Sequence, residues 1–354
     1  MAPFNSNKDK MKKQIDIDDN TLNILMVLVA GLLALLIMTG VYFLAVGLTS
    51  PSSPSNGPSK PTAGNAEYPF RPDELSIKLP EYKEDSVTID GASSEYAALL
   101  NVSDNMIIAS KRSSTTIYPA SLTKIMTLIV VVENLKSEES LDEVLTISAG
   151  IGEHSGFGLF PGEKLTVRDL IYASILQSDG VACITLAEYI AGSEREFVKL
   201  MNDKVKELGL LEGDPENLPS TNFSNCSGLH EQYHFSTAYD MAVIMAYAMK
   251  NPFCADVLTT LKYLPSENFR PDVEYTLTFW HNLLHNRFND GNLQPSTATI
   301  IGGKTGWTGD DSGYCMATFA EGKNGKKYIL ITAKAESWTT AVDDTLDIYK
   351  SYAK

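Results

Sequence analysis

The chain has 354 residues, 44% of them hydrophobic, and a formal net charge of −15. That length holds one large domain or two ordinary ones, and an acidic chain without a basic excess has nothing to set against phosphates, which speaks against a nucleic-acid partner. Four cysteines (Cys183, Cys226, Cys254 and Cys315) match no zinc-ligand spacing and are too few for a disulfide scaffold. Cys183 and Cys315 lie in apolar runs and read as buried free thiols, with a bridge left open.

Residues 1–21 are polar, Lys8, Lys10, Lys12 and Lys13 balancing Asp9, Asp16, Asp18 and Asp19. Residues 22–48 carry no charge. The run exceeds the roughly 20 residues that cross a bilayer as a helix, and is too long for a simple signal peptide. The lysines ahead of it predict a cytoplasmic N-terminus. The segment therefore reads as an uncleaved transmembrane signal anchor, with Ala45-Val46-Gly47 as the cleavage site of the alternative. Residues 49–67 are rich in Pro, Ser and Gly and read as an extended tether. Arm and tether each sum to zero charge, so the acidic excess belongs to residues 68–354. That part is long enough for an extensive core.

Within it, residues 95–110 alternate like a strand pair with a turn at Ser103-Asp104-Asn105. A helix is expected from Ser121, after Pro119 and through the apolar residues 125–132. Residues 158–163 form a loop. Thr166 caps a helix to about Leu176, with Asp169 placed as in a capping box. Ser178-Asp179-Gly180 breaks the chain, and a buried helix runs over 181–190 to Gly192. An amphipathic helix over 194–208 ends at Gly209. Ser236 or Thr237 caps another to Met249. Lys304-Thr305-Gly306 precedes strands over 313–320 and 327–334, joined at Asn324-Gly325. A final helix begins near Thr340. Strands first and last with helices between predict an α+β domain, an antiparallel sheet packed by helices rather than a doubly wound parallel one.

Ser121 and Lys124, three residues apart, share a helix face. A serine hydroxyl becomes a good nucleophile when a nearby base takes its proton, and a lysine deprived of water can be that base. Each motif alone is ordinary. S-x-x-K, then Ser178 at a second helix start, then Lys304-Thr305-Gly306, in this order and beyond a membrane span, form the motif set of penicillin-binding proteins and β-lactamases.

Further segments strengthen the likeness. Pro119-Ala120-Ser121-Leu122-Thr123-Lys124, Pro161-Gly162-Glu163-Lys164-Leu165-Thr166, Thr221-Asn222-Phe223, Gly228-Leu229-His230, Ser236-Thr237-Ala238-Tyr239-Asp240 and Lys304-Thr305-Gly306-Trp307-Thr308 resemble the serine D-alanyl-D-alanine carboxypeptidases, the low-molecular-mass penicillin-binding proteins. The resemblance implies a β-lactamase/transpeptidase-like fold. It implies that Ser121 attacks between the two D-alanines of a peptidoglycan stem peptide, with Lys124 as base. The N–H groups of Ser121 and Trp307 would form an oxyanion hole. Ser178 and Lys304 would protonate the leaving D-alanine, and Lys304 and Thr305 would meet its carboxylate. Asp179, Gly180, Gly306 and Trp307 would line the substrate. β-Lactams would acylate Ser121. No metal or cofactor is implied, and the location would be a bacterial membrane with the catalytic domain outside.

Three departures stand out. The second motif is usually Ser-x-Asn, but Gly180 occupies its last position and Asp179 is the nearest polar substitute. Where many relatives have an arginine after the last hairpin, this chain has Lys334. Many relatives carry a C-terminal β-rich domain and amphipathic anchor; here the N-terminal span is expected to anchor. A β-lactamase of the same fold, or a wall-binding or sensor protein whose site has decayed, are the alternatives. His230-Glu231-Gln232-Tyr233-His234 also spells the zinc-peptidase pattern H-E-x-x-H. It falls between Ser227-Gly228 and the cap at Ser236 or Thr237, so a loop is expected, without the helical geometry that lets two histidines share a metal.

Overall fold

In the computed structural model, residues 78–148, 159–210, 220–265 and 278–354 are described. The proposed span (22–48) and tether (49–67) lie outside them. Among the described residues no helix is long and apolar enough to cross a membrane.

The strands are β1 (Glu81–Thr88), β2 (Tyr96–Asn101), β3 (Met106–Lys111), β4 (Thr116–Ile117), β5 (Val144–Thr146), β6 (Lys164–Thr166), β7 (Ser236–Thr237), β8 (Lys262–Tyr263), β9 (Phe279–Trp280), β10 (Ala298–Gly306), β11 (Tyr314–Gly322) and β12 (Lys327–Ala335). Six of them form the main sheet in the order β1-β3-β2-β12-β11-β10. β2 is buried at every position, its side chains dividing by period two. Ala98 and Leu100 enter one apolar cluster, Ala97 and Leu99 another, and in β12 Ile329 and Ile331 join the first cluster while Tyr328 and Leu330 join the second. A strand buried on both faces needs helices on both sides. One side is covered by helices Lys124–Asn134, Val167–Leu176, Gly180–Ala191, Glu194–Glu207 and Ala238–Ala248. The other side holds Trp338–Tyr352 and the short Asn282–Asn286.

Local signals set several helix ends. Thr166 and Asp169 form the reciprocal capping box, at 3.0 and 3.1 Å. Ser193 and Thr237 cap their helices, and Gly192 closes one at φ +78°. The helix Pro252–Thr259 was not expected, although Asn251 capping it with Pro252 in the first turn is a readable start signal.

Two expectations need correction. The sheet is not wholly antiparallel: β1 pairs parallel with β3, Glu81 opposite Met106. This outermost strand, E-Y-K-E-D-S-V-T, is dominated by polar residues and lacks the strong apolar alternation by which a strand is read. And Lys304-Thr305-Gly306 does precede β11 and β12, but it also ends a strand of its own, β10, which was not expected. Gly302-Gly303 hid that strand by interrupting its pattern. The strand needs them, because a Cβ at Gly302 would lie 2.4 Å from the Leu258 carbonyl oxygen and one at Gly303 2.0 Å from that of Ala317. All four cysteines are buried and free.

Candidate active site

The expected helix start at Ser121 is a 3-10 turn, Ala120–Thr123, leading into Lys124–Asn134. In a 3-10 turn residues i and i+3 eclipse one another, so Ser121 and Lys124 are brought together by local geometry. The Lys124 Nζ donates to Ser121 Oγ at 2.9 Å and to the Ser227 carbonyl at 2.5 Å. Lys124 is 3% exposed. Ala120 takes a left-handed φ of +49° to open the turn. Two glycines press on this backbone. A Cβ at Gly228 would stand 1.9 Å from the Ala120 carbonyl oxygen; one at Gly306 would stand 2.9 Å from the Pro119 oxygen and 3.1 Å from the Ser121 nitrogen. The end of β10 is thus packed on the Ser121 N–H, and Trp307 is the next residue.

Ser178 also takes a left-handed φ, +59°. Lys304 Nζ donates to Ser178 Oγ at 2.8 Å and to the Thr305 carbonyl at 2.9 Å. Lys304 is 1% exposed. Burial, and then the nearby Lys124 charge, hold its pKa well below the usual lysine range. Asp179 is buried, and its carboxylate accepts from the Ala182 N–H at 2.9 Å, capping the helix that Gly180 begins. Its observed work is therefore at the helix start. One turn on, the Cys183 thiol is pushed by burial to a pKa of about 11.

Segments within residues 222–236 carried part of the resemblance, but the sequence assigned no contacts to this third wall. Besides the Ser227 carbonyl on Lys124, the Cys226 carbonyl accepts from Thr127 Oγ1 at 2.6 Å, and His234 Nε2 lies 2.7 Å from Thr123 Oγ1. The H-E-x-x-H segment is a loop, as expected. His230 packs edge-on against Tyr118 and faces Asp311 at 3.6 Å, whereas both ring nitrogens of His234 are engaged by protein. The two histidines therefore do not face a shared ligand position. Lys334, at φ +57°, pairs with Glu95 at 3.6 Å. Trp307 is half exposed and stacks on Tyr314.

Two hydroxyl–lysine pairs, Ser121/Lys124 and Ser178/Lys304, thus stand in one arrangement at the end of a sheet-edge strand, Lys124 beside one hydroxyl and Lys304, of lowered basicity, beside the other. This is chemistry for acyl transfer. The chain is similar to several known proteins. The chain is 32% identical over 231 residues to D-alanyl-D-alanine carboxypeptidase DacF of Bacillus subtilis, covering 64% of this chain and 54% of that protein. It is 36% identical over 155 residues to DacC of Escherichia coli, covering 41% and 37%. The chain thus spans about half the length, or less, of these curated relatives. A variant of a Streptomyces DD-transpeptidase superposes with a TM-score of 0.61 at 25% identity, over 73% of this chain and 97% of that one. An ampicillin-bound penicillin-binding protein from Listeria monocytogenes shares the fold at 24% identity and a TM-score of 0.61, over 75% and 100%. With residues 83–337 matching the profile described as D-alanyl-D-alanine carboxypeptidase, the chain belongs to the D-alanyl-D-alanine carboxypeptidase family.

Proposed function

We propose that this protein is a serine D-alanyl-D-alanine carboxypeptidase that trims peptidoglycan stem peptides through an acyl-enzyme on Ser121, and that residues 22–48 anchor it in a bacterial membrane with the catalytic domain outside. The observation that carries the reading is the 2.9 Å contact between Lys124 Nζ and Ser121 Oγ. A neutral amine has two N–H groups and one lone pair. To act as base, the amine keeps one N–H on the Ser227 carbonyl and turns its lone pair, in place of the N–H now given to Ser121 Oγ, toward the Ser121 proton. Ser121 Oγ then bonds to the penultimate D-alanine carbonyl carbon. The oxyanion falls to the backbone N–H groups of Ser121 and of Trp307, the residue after Gly306, which packs against the Ser121 nitrogen. The C–N bond breaks as the leaving amine takes a proton relayed through Ser178 from Lys304, which donates to the Ser178 hydroxyl. Lys304 and Thr305 receive the substrate carboxylate, and water cleaves the ester. β-Lactams present a comparable strained amide and acylate Ser121.

Gly180 favours the decayed-site reading, since it offers no side chain to the substrate. Against it, both lysines are held at hydrogen-bond distance of their serines by other groups. The full-length protein treated with benzylpenicillin is expected to gain one drug mass, and Ser121→Ala to gain none while melting normally. Release of D-alanine from a D-Ala-D-Ala peptide completes the test. Labelling of Ser121→Ala would sink the assignment; a folded wild type that never labels would return the reading to wall binding.

A further inference from the structure

The H-E-x-x-H loop plays no part in the reaction just described, yet His234 is 1% exposed and sits against the nucleophile turn. Its two nitrogens have opposite duties. Nδ1 accepts the Ser224 backbone N–H at 3.1 Å. A ring nitrogen that accepts carries no proton, so the neutral ring bears its proton on Nε2. Nε2 lies 2.7 Å from Thr123 Oγ1 and therefore donates to it. Thr123 is fully buried, so this hydroxyl cannot exchange its partner for bulk water. It is also the last residue of the 3-10 turn, between Ser121 and Lys124.

We infer that His234 is a positioning residue for the nucleophile: its Nε2–H holds Thr123, and with it the Ser121–Lys124 turn, at the separation that proton transfer requires. The inference rests on the acylation chemistry proposed for Ser121. The turn has reason to need holding, because Ala120 opens it at φ +49°, a conformation a non-glycine residue keeps only when its surroundings impose it. The rest of the loop grips the same segment. Asn225 Oδ1 accepts from the N–H groups of Gly228 (2.7 Å), Leu229 (3.1 Å) and Ser227 (3.2 Å), which fixes the Ser227 carbonyl that meets Lys124. A protonated ring would set a second N–H against the Ser224 N–H and a charge near Lys124 and His230. Burial, then those two neighbours, keep the His234 pKa at about 4, so the ring is neutral in ordinary conditions.

The test compares full-length wild type, His234→Gln, His234→Asn, Thr123→Val and the double variant His234→Asn/Thr123→Val. The readouts are melting temperature and the rate constants for acylation by a fluorescent penicillin. Glutamine can place an amide N–H near the Nε2 position; asparagine keeps only an acceptor for Ser224. His234→Gln is expected to stay within about threefold of wild type. His234→Asn and Thr123→Val are expected to lose about ten- to a hundredfold in the acylation step, with encounter affinity unchanged, since a misplacement near 1 Å has that effect. The double variant should lose no more than either single one, because both remove the same bond. Equal rates for the Gln and Asn variants, or losses that add in the double variant, overturn the inference. Should His234→Asn not fold, Thr123→Val decides alone, and unchanged acylation refutes it. A wild type that is never acylated would be the separate failure of the Ser121 reading, and the inference would fall with it.

Discussion

Gly228 bears on Ser121 without contributing a side chain. At φ +85° it occupies a conformation that L-residues avoid, and a Cβ there would collide with the Ala120 carbonyl oxygen at 1.9 Å. The left-handed backbone alone costs roughly 1–2 kcal/mol for a substituted residue. The collision adds a displacement of the nucleophile turn, since the Ala120 carbonyl is backbone and has no rotamer to yield. Gly228→Ala is therefore expected to slow penicillin acylation by tenfold or more. Gly325 is the matched control: its φ is +78°, with nothing within 4 Å of a Cβ. Gly325→Ala should pay the backbone cost in melting temperature and leave the acylation rate alone. Equal acylation by the two variants would show that crowding at Gly228 does not reach Ser121.

At the level of elements, three helices are joined by one buried charged group. Lys204 Nζ, on Glu194–Glu207, lies 2.7 Å from Glu133 on the helix that begins with Lys124, and 2.6 Å from Glu207. Tyr247, on Ala238–Ala248, donates to Glu133 at 2.5 Å. Lys204 and Glu133 are 7% and 6% exposed, so water replaces neither partner. Removing one member strands the other's charge, a change typically worth about 3–5 kcal/mol. Lys204→Met is expected to destabilise by that order in urea unfolding, and Tyr247→Phe by about 1–2 kcal/mol, the loss of a hydrogen bond to a charged group. A Lys204→Met protein as stable as wild type would mean that Glu133 is rehydrated or neutralised.

For the molecule as a whole, acid is the sensitive direction. His234 and His281 are both buried with pKa values near 4, burial being the leading cause in each, against 6.5 for the free side chain. His281 caps its helix through Nδ1 and points Nε2 at the Leu258 carbonyl at 3.0 Å, the same tautomer as His234. Between pH 6.5 and 4 the unfolded chain binds protons at these sites and the folded chain does not. Stability is therefore full above about 6.5 and falls as the pH drops toward 4, by on the order of 3 kcal/mol for each histidine. Melting temperature should decline over that window, and less steeply in His281→Gln if that variant folds. A flat profile from pH 7 to 4.5 would contradict the burial assigned to both rings.

What could be read from the chain alone was encoded within a turn or so of itself. The spacing of Ser121 and Lys124 brings them together in any helical turn; Thr166 with Asp169, Thr237, and Gly325 in its hairpin announce their own caps and turn. The order of the three motifs pointed to the family, which comparison then showed. Tertiary structure decided what depends on distant segments meeting. Ser178 and Lys304 are 126 positions apart, Lys124 and the Ser227 carbonyl 103, Thr123 and His234 111. Periodicity carries no information about such pairings, because they follow from how loops close over a shared core rather than from any local preference. The same reason explains β10, whose glycines look like a break until Leu258 and Ala317 are seen against them, and β1, whose parallel pairing on β3 no local pattern could specify.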